Sequence, residues 1–95
     1  MKRKKAIKEI MDNFDFEKVH ICMVKMGWIW MDGIPSIEEI KEAAIDRMHS
    51  AIDSVLTCES SSEIPHISYS GGLLARAWRT KKGKLKDLQL QHVLS

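Results

Sequence analysis

The sequence predicts a small α+β domain of order α-β-α-β-β, with its helices packed on one face of a mainly antiparallel sheet. Three observations carry that expectation. Apolar residues recur at helical spacing from Ala6 to Val55. Beyond a serine-rich loop the period falls from about 3.6 to 2, the spacing of a strand. The junctions between these stretches carry helix caps and turn residues.

Ala6, Ile7, Ile10, Met11 and Phe14 form a narrow apolar stripe on a basic N-terminal helix over residues 1–13. Lysines in its first turn oppose the helix dipole, so its start is expected to fray. Asp15 is placed to cap a second helical stretch whose stripe is Phe16, Val19, His20, Met23 and Met26, and Gly27 is its stop. The residues allow either two helices or one kinked helix over 2–26. Trp28 to Met31 alternates two large rings and reads as a short strand ended by the Asp32-Gly33 turn. Ser36-x-x-Glu39 is a capping box after Pro35, and the helix behind it buries Ile40, Ala44, Met48, Ala51, Ile52 and Val55. Thr57 to Pro65 is a loop. His66 to Ser70 alternates, Gly71-Gly72 permits a bulge or sharp bend, and the strand resumes from Leu73 to Thr80. Lys81-Lys82-Gly83 turns the chain into a last strand, with Leu88, Leu90, His92 and Leu94 on one side and Asp87, Gln89 and Gln91 on the other. Residues 66–94 thus form a basic β-hairpin at the end of a single domain, 1–95.

Length and composition limit the function classes. Ninety-five residues, 44% hydrophobic and 29% charged, suit one globular domain and exclude a two-domain enzyme with its own cofactor module. The longest apolar run, Met26 to Met31, is far short of a membrane span. Lys8 and Glu9 interrupt what would be the apolar part of a signal peptide, so a cytoplasmic chain is expected, with Cys22 and Cys58 as reduced thiols. The net charge of +2 conceals segregation: residues 1–8 carry +5, residues 9–63 carry −8 and residues 64–95 carry +5.

No catalytic constellation can be assembled. His20, Cys22, His49 and Cys58 match no zinc spacing, and neither metal nor cofactor is expected. Ser68-Tyr-Ser70-Gly71-Gly72 is not a nucleophile elbow, and the glycine pair lacks the helix and the Lys-Ser/Thr of a phosphate loop. Gly71 and Gly72 could still wall a small nucleotide pocket with Arg76 and Trp78. The most informative stretch gathers Arg76, Trp78, Arg79, Lys81, Lys82, Lys84 and Lys86 on one hairpin. Arg with Trp can hold nucleic acid by phosphate pairing and base stacking, or anchor a protein partner. The plainer alternative puts Trp78 in the core and leaves the lysines as a solvated turn that protects an edge strand. Glu38, Glu39, Glu42, Asp46 and Asp53 make the outer face of the long helix acidic: a solvated face, or a second docking surface for a basic partner.

Phe14-Asp15-Phe16-Glu17-Lys18-Val19-His20, Trp28-x-Trp30, Pro35-Ser36-x-Glu38-Glu39 and Ser70-Gly71-Gly72 together resemble small phage- and prophage-encoded proteins of unknown function. The resemblance covers residues 14–74 and consists of structural positions, with no catalytic motif. It implies an accessory protein, cytoplasmic in the bacterial host, that binds and blocks a host defence factor in the manner of an anti-CRISPR inhibitor, or else sequesters a nucleotide signal. The C-terminal hairpin departs from that group in its wealth of cations. The expected activity is therefore non-enzymatic occlusion of a host protein or nucleoprotein complex. The alternatives are a nucleic-acid-binding module and a small-nucleotide sponge. No membrane partner is expected, and a homodimer is compatible with the chain.

Overall fold

A computed structural model describes residues 2–59 and 64–93. The serine triplet of the expected loop, Leu94 and the end of the last strand lie outside the described residues. The element order is α1 (Arg3–Asn13), α2 (Phe16–Met26), α3 (Ile37–Thr57), β1 (His66–Ser70), β2 (Leu73–Arg79) and β3 (Leu85–His92). All three helices precede all three strands. The α+β class, with helices on one face of an antiparallel sheet, is as the sequence predicts, and the order within it differs at two places.

The first is Trp28 to Met31, which is not a strand of the sheet. Trp30 and Gly33 form an isolated bridge, with reciprocal N–H···O bonds of 2.8 and 3.0 Å closing a tight turn. The alternation seen in the sequence is real but has another cause. Trp28 and Trp30 pack against the core, whereas Ile29 is 68% exposed and Met31 fully so. The second is Gly71-Gly72. Both glycines have positive φ, 62° and 87°, which makes the two-residue loop of a hairpin turn and not a bend inside one strand. The C-terminal third is therefore a three-stranded meander of order β1-β2-β3, with both pairings antiparallel.

Local chemistry sets the helix boundaries. Asp15 Oδ1 accepts from the Lys18 N–H at 3.0 Å, separating α1 from α2, so residues 2–26 are two helices. At the end of α2, Gly27 adopts φ 65°; the Trp28 N–H returns to the Met23 carbonyl at 2.9 Å and the Gly27 N–H to that of Val24 at 3.2 Å. The capping box of α3 is complete: Ser36 Oγ accepts from the Glu39 N–H, and Glu39 Oε1 accepts from the Ser36 N–H, each at 3.2 Å.

The core lies between α3 and the sheet. Met23, Ile40, Ala44, Met48, Ala51, Ile52, Leu73, Ala75 and Ala77 are fully buried. α3 packs across all three strands, α1 covers β3, and α2 packs on α3. Small residues on both partners (Ala44 and Ala51 on the helix, Ala75 and Ala77 on β2) let the two layers approach closely while Met48 and Ile52 fill the space between them. Among the described residues, no helix is long and apolar enough to cross a membrane.

Candidate functional site

Strand alternation puts Leu73, Ala75 and Ala77 of β2 under the helices, so Leu74, Arg76 and Trp78 stand on the opposite face. Directly paired residues share a face. The register places Ile67 opposite Arg76, Tyr69 opposite Leu74, Gln91 opposite Leu74, Gln89 opposite Arg76 and Asp87 opposite Trp78. Among the described residues, the side chains that the helices bury all stand on the other face of β2, and no helix covers this one. The result is an open face with Tyr69 and Ile67 more than half exposed and Leu74, Arg76 and Trp78 half-buried by their neighbours. Trp78 therefore stands outside the core cluster. Arg76 is held across the sheet by a hydrogen bond from its guanidinium to Gln91 Oε1 at 3.1 Å, which orients its planar fork over the strands.

The other cations of the hairpin gather at one end of this face. A register shift beyond Trp78 pairs Arg79 with Leu85 and leaves Lys86 as the extra residue of a bulge. Arg79 thus stands with buried Leu85 on the covered side, where its guanidinium donates to the Thr80 carbonyl at 3.2 Å. The turn is closed by the Thr80 N–H to the Lys84 carbonyl at 2.7 Å and by the Lys84 N–H to Thr80 Oγ1 at 3.1 Å. Lys81, Lys82, Lys84 and Lys86 are all exposed. The seven residues picked from the sequence thus separate into two on the open face (Arg76, Trp78), one on the covered side (Arg79) and four lysines at the tip and bulge.

The acidic residues lie on the other layer. Glu38, Glu39, Glu42, Asp46 and Asp53 are exposed on the side of α3 turned away from the sheet. Part of that charge is used within the chain. Asp53 pairs with Arg3 of α1 at 2.6 Å, Glu39 serves the capping box, and Glu38 lies 3.9 Å from Lys41. Arg3 also contacts His49 Nδ1 at 3.3 Å, so the basic start of α1 is docked on α3. The basic hairpin and the acidic helix face therefore belong to opposite layers, and one flat partner surface cannot touch both.

Gly71 does not join Arg76 and Trp78 in a pocket. Its carbonyl accepts from the Trp30 indole N–H at 3.3 Å, and a Cβ on residue 71 would lie 3.0 Å from the indole ring atoms. Gly71 and Trp30 line a cleft on the helical side with Arg47 of α3. Sequence reading missed Arg47; the available signal was its position four residues beyond Ala43, on the flank of α3 beside the buried stripe. Sequence reading also missed Tyr69, Ile67 and Leu74, whose shared face becomes visible only once the Gly71-Gly72 turn is known to pair β1 with β2. Among the described residues there is no cluster of three or more His, Cys, Asp or Glu side chains able to hold a metal ion.

Comparison with protein families, with curated proteins and with solved structures finds no match to this chain.

Proposed function

We propose that this protein is a non-enzymatic binding protein that acts by occlusion, docking a protein partner with an acidic rim onto the open face of its sheet. The uncovered face itself carries the reading: Trp78, Tyr69 and Arg76, the residue types that dominate binding energy at protein interfaces, lie together with Ile67 and Leu74 where no helix packs. An apolar, aromatic centre beside a charged margin is the anatomy of a protein interface. Lys81, Lys82, Lys84 and Lys86 supply that margin at one end and select a partner that is negative there. The resemblance to phage-encoded proteins adds a setting, a bacterial host in which the blocked partner is a defence component.

The second reading, a nucleic-acid-binding module, is favoured by the same lysines and by two rings on a three-stranded sheet. Charge distribution weighs against it. On the face itself Arg76 is balanced by Asp87, and the other cations are gathered at one end instead of following a path for phosphates.

The test uses the tagged chain expressed in a bacterial host, followed by binding measurements with the purified partner. Trp78→Ala and Arg76→Ala are expected to weaken the complex by about 30-fold or more each, as central anchors do. Glu42→Gln with Asp46→Asn, on the other layer, is expected to leave it within about twofold, as at a site outside the contact. Unchanged affinity in Trp78→Ala, or loss in the acidic-face variant, overturns the reading. Recovery of nucleic acid alone, with an affinity that falls steeply as salt rises, selects the second reading.

A further inference from the structure

The cleft beside Trp30 is independent of the open sheet face. It lies at the β1 side of the molecule, between the flank of α3 and the β1–β2 turn, with a volume of about 370 Å³ and a lining of Ile29, Trp30, Ala43, Arg47, Ser70 and Gly71 among others. That volume lies within the usual range of small-molecule sites.

Three features of the lining point to one ligand chemistry. Arg47 is half-buried, and among the described residues it makes no ion pair and no hydrogen bond, although Arg3 and Arg76 are both engaged. Among the described residues no acidic side chain lines the cleft, and Arg47 is the charged member of its lining. The Trp30 indole is held on Gly71, its N–H bound to the Gly71 carbonyl at 3.3 Å and its ring so close that a Cβ on residue 71 would lie 3.0 Å from it. A ring immobilised in advance loses little entropy when a second flat ring packs against it. Finally, Ser70 lines the same cleft and carries a hydroxyl able to donate to an oxyanion, and the small side chain of Ala43 in the lining leaves room that a longer one would take.

We propose that this cleft binds a small molecule that joins a flat ring to an oxyanion, of the nucleoside monophosphate class, with Arg47 and Ser70 holding the anion and Trp30 packing on the ring. The guanidinium provides the planar fork that phosphate oxygens accept in pairs, and the half-buried setting strengthens that contact relative to the solvated lysines of the hairpin. Arg76 and Trp78 take no part.

The test is a titration of the isotope-labelled full chain, followed by NMR, with adenosine 5′-monophosphate, adenosine and inorganic phosphate in parallel. The monophosphate is expected to shift the Trp30 indole N–H, the Gly71 amide and the Arg47 side chain together. It should bind at least about tenfold more tightly than adenosine or phosphate alone, because only it engages both ends. Arg47→Met is expected to weaken it by about tenfold or more with the amide dispersion intact. Ala43→Leu, which narrows the cleft and keeps the cation, provides the same readout should Arg47→Met fail to fold. Shifts spread over Lys81–Lys86 and α1 in place of the cleft overturn the proposal. So does failure to saturate at millimolar ligand, or an affinity unchanged in the folded variants.

Discussion

Ala77 and Trp78 are neighbours in β2 and meet opposite environments. Ala77 is fully buried beneath the helices, whereas Trp78 lies half-buried on a face that no helix covers. On the covered side the centre of β2 is small, Ala75 and Ala77 between Leu73 and Arg79, and the long side chains of α3 pack over it. On the open side β2 carries Leu74, Arg76 and Trp78, which are large and have nothing packed above them. Sheets with one solvated side ordinarily alternate apolar and polar residues. Here the bulky aromatic and aliphatic groups stand where short polar ones would suffice for folding. At the centre of β2 residue size is thus divided by face, with Ala75 and Ala77 beneath the helices and Arg76 and Trp78 on the open side.

The largest effect that tests this contrast is expected in the covered layer. Met48→Ala or Ile52→Ala, each emptying a fully buried position between α3 and the sheet, should cost about 2–5 kcal/mol in denaturant unfolding, against about 1 kcal/mol for Trp78→Ala. Equal costs for Met48 and Trp78 would erase the distinction between the faces. Next comes a change in the opposite sense. Ala77→Leu, which overfills the covered side, should destabilise by about 1–3 kcal/mol, whereas Arg76→Leu on the open side should stay within about 0.5 kcal/mol while weakening partner binding. A smaller effect sharpens the comparison by touching neither face: Ser36→Ala removes the capping box of α3, should cost about 1 kcal/mol in thermal unfolding, and should leave binding unchanged.

The smallest concerns the end of β3, where His92 stands on the covered side and Gln91 on the open one. Burial first, and the positive charge of Lys18 second, hold the His92 imidazole below its ordinary value. The unfolded chain therefore takes up the proton more readily than the folded one. The contribution of this group to stability is complete above about pH 6.5 and declines as pH falls through that value toward the lower folded one. Urea midpoints should drop slightly between about pH 7.5 and about pH 5.5, and His92→Gln should flatten that part of the profile.

Local chemistry explains what the sequence disclosed. The caps at Asp15 and Ser36 and the stop at Gly27 act over three to five residues, and their partners are legible in a linear string. The buried stripe of α3 was legible for the same reason, since helical spacing repeats within one element. Trp28 to Met31 misled because alternation records which side of a segment packs and says nothing about whether a neighbouring strand exists. The open face was only half visible: Arg76 and Trp78 share a strand, but Tyr69 and Ile67 join them through a register that depends on the Gly71-Gly72 turn. Arg47 and Trp30 lie seventeen positions apart and line one cleft, where Trp30 is tied to Gly71 of the β1–β2 turn beside α3.

The segregation of helices before strands has a consequence for synthesis. On the ribosome, Met48 and Ile52 emerge with α3, and the sheet that packs on this helix is the last described structure to be made. At usual elongation rates, the interval between completing α3 and completing β3 is roughly two to seven seconds. Until β1 and β2 emerge within that interval, the helical partners of α3 are α1 and α2. An early stop codon within the meander would therefore leave the apolar side of α3 without the strands that cover it, a sticky helical fragment rather than a smaller folded domain.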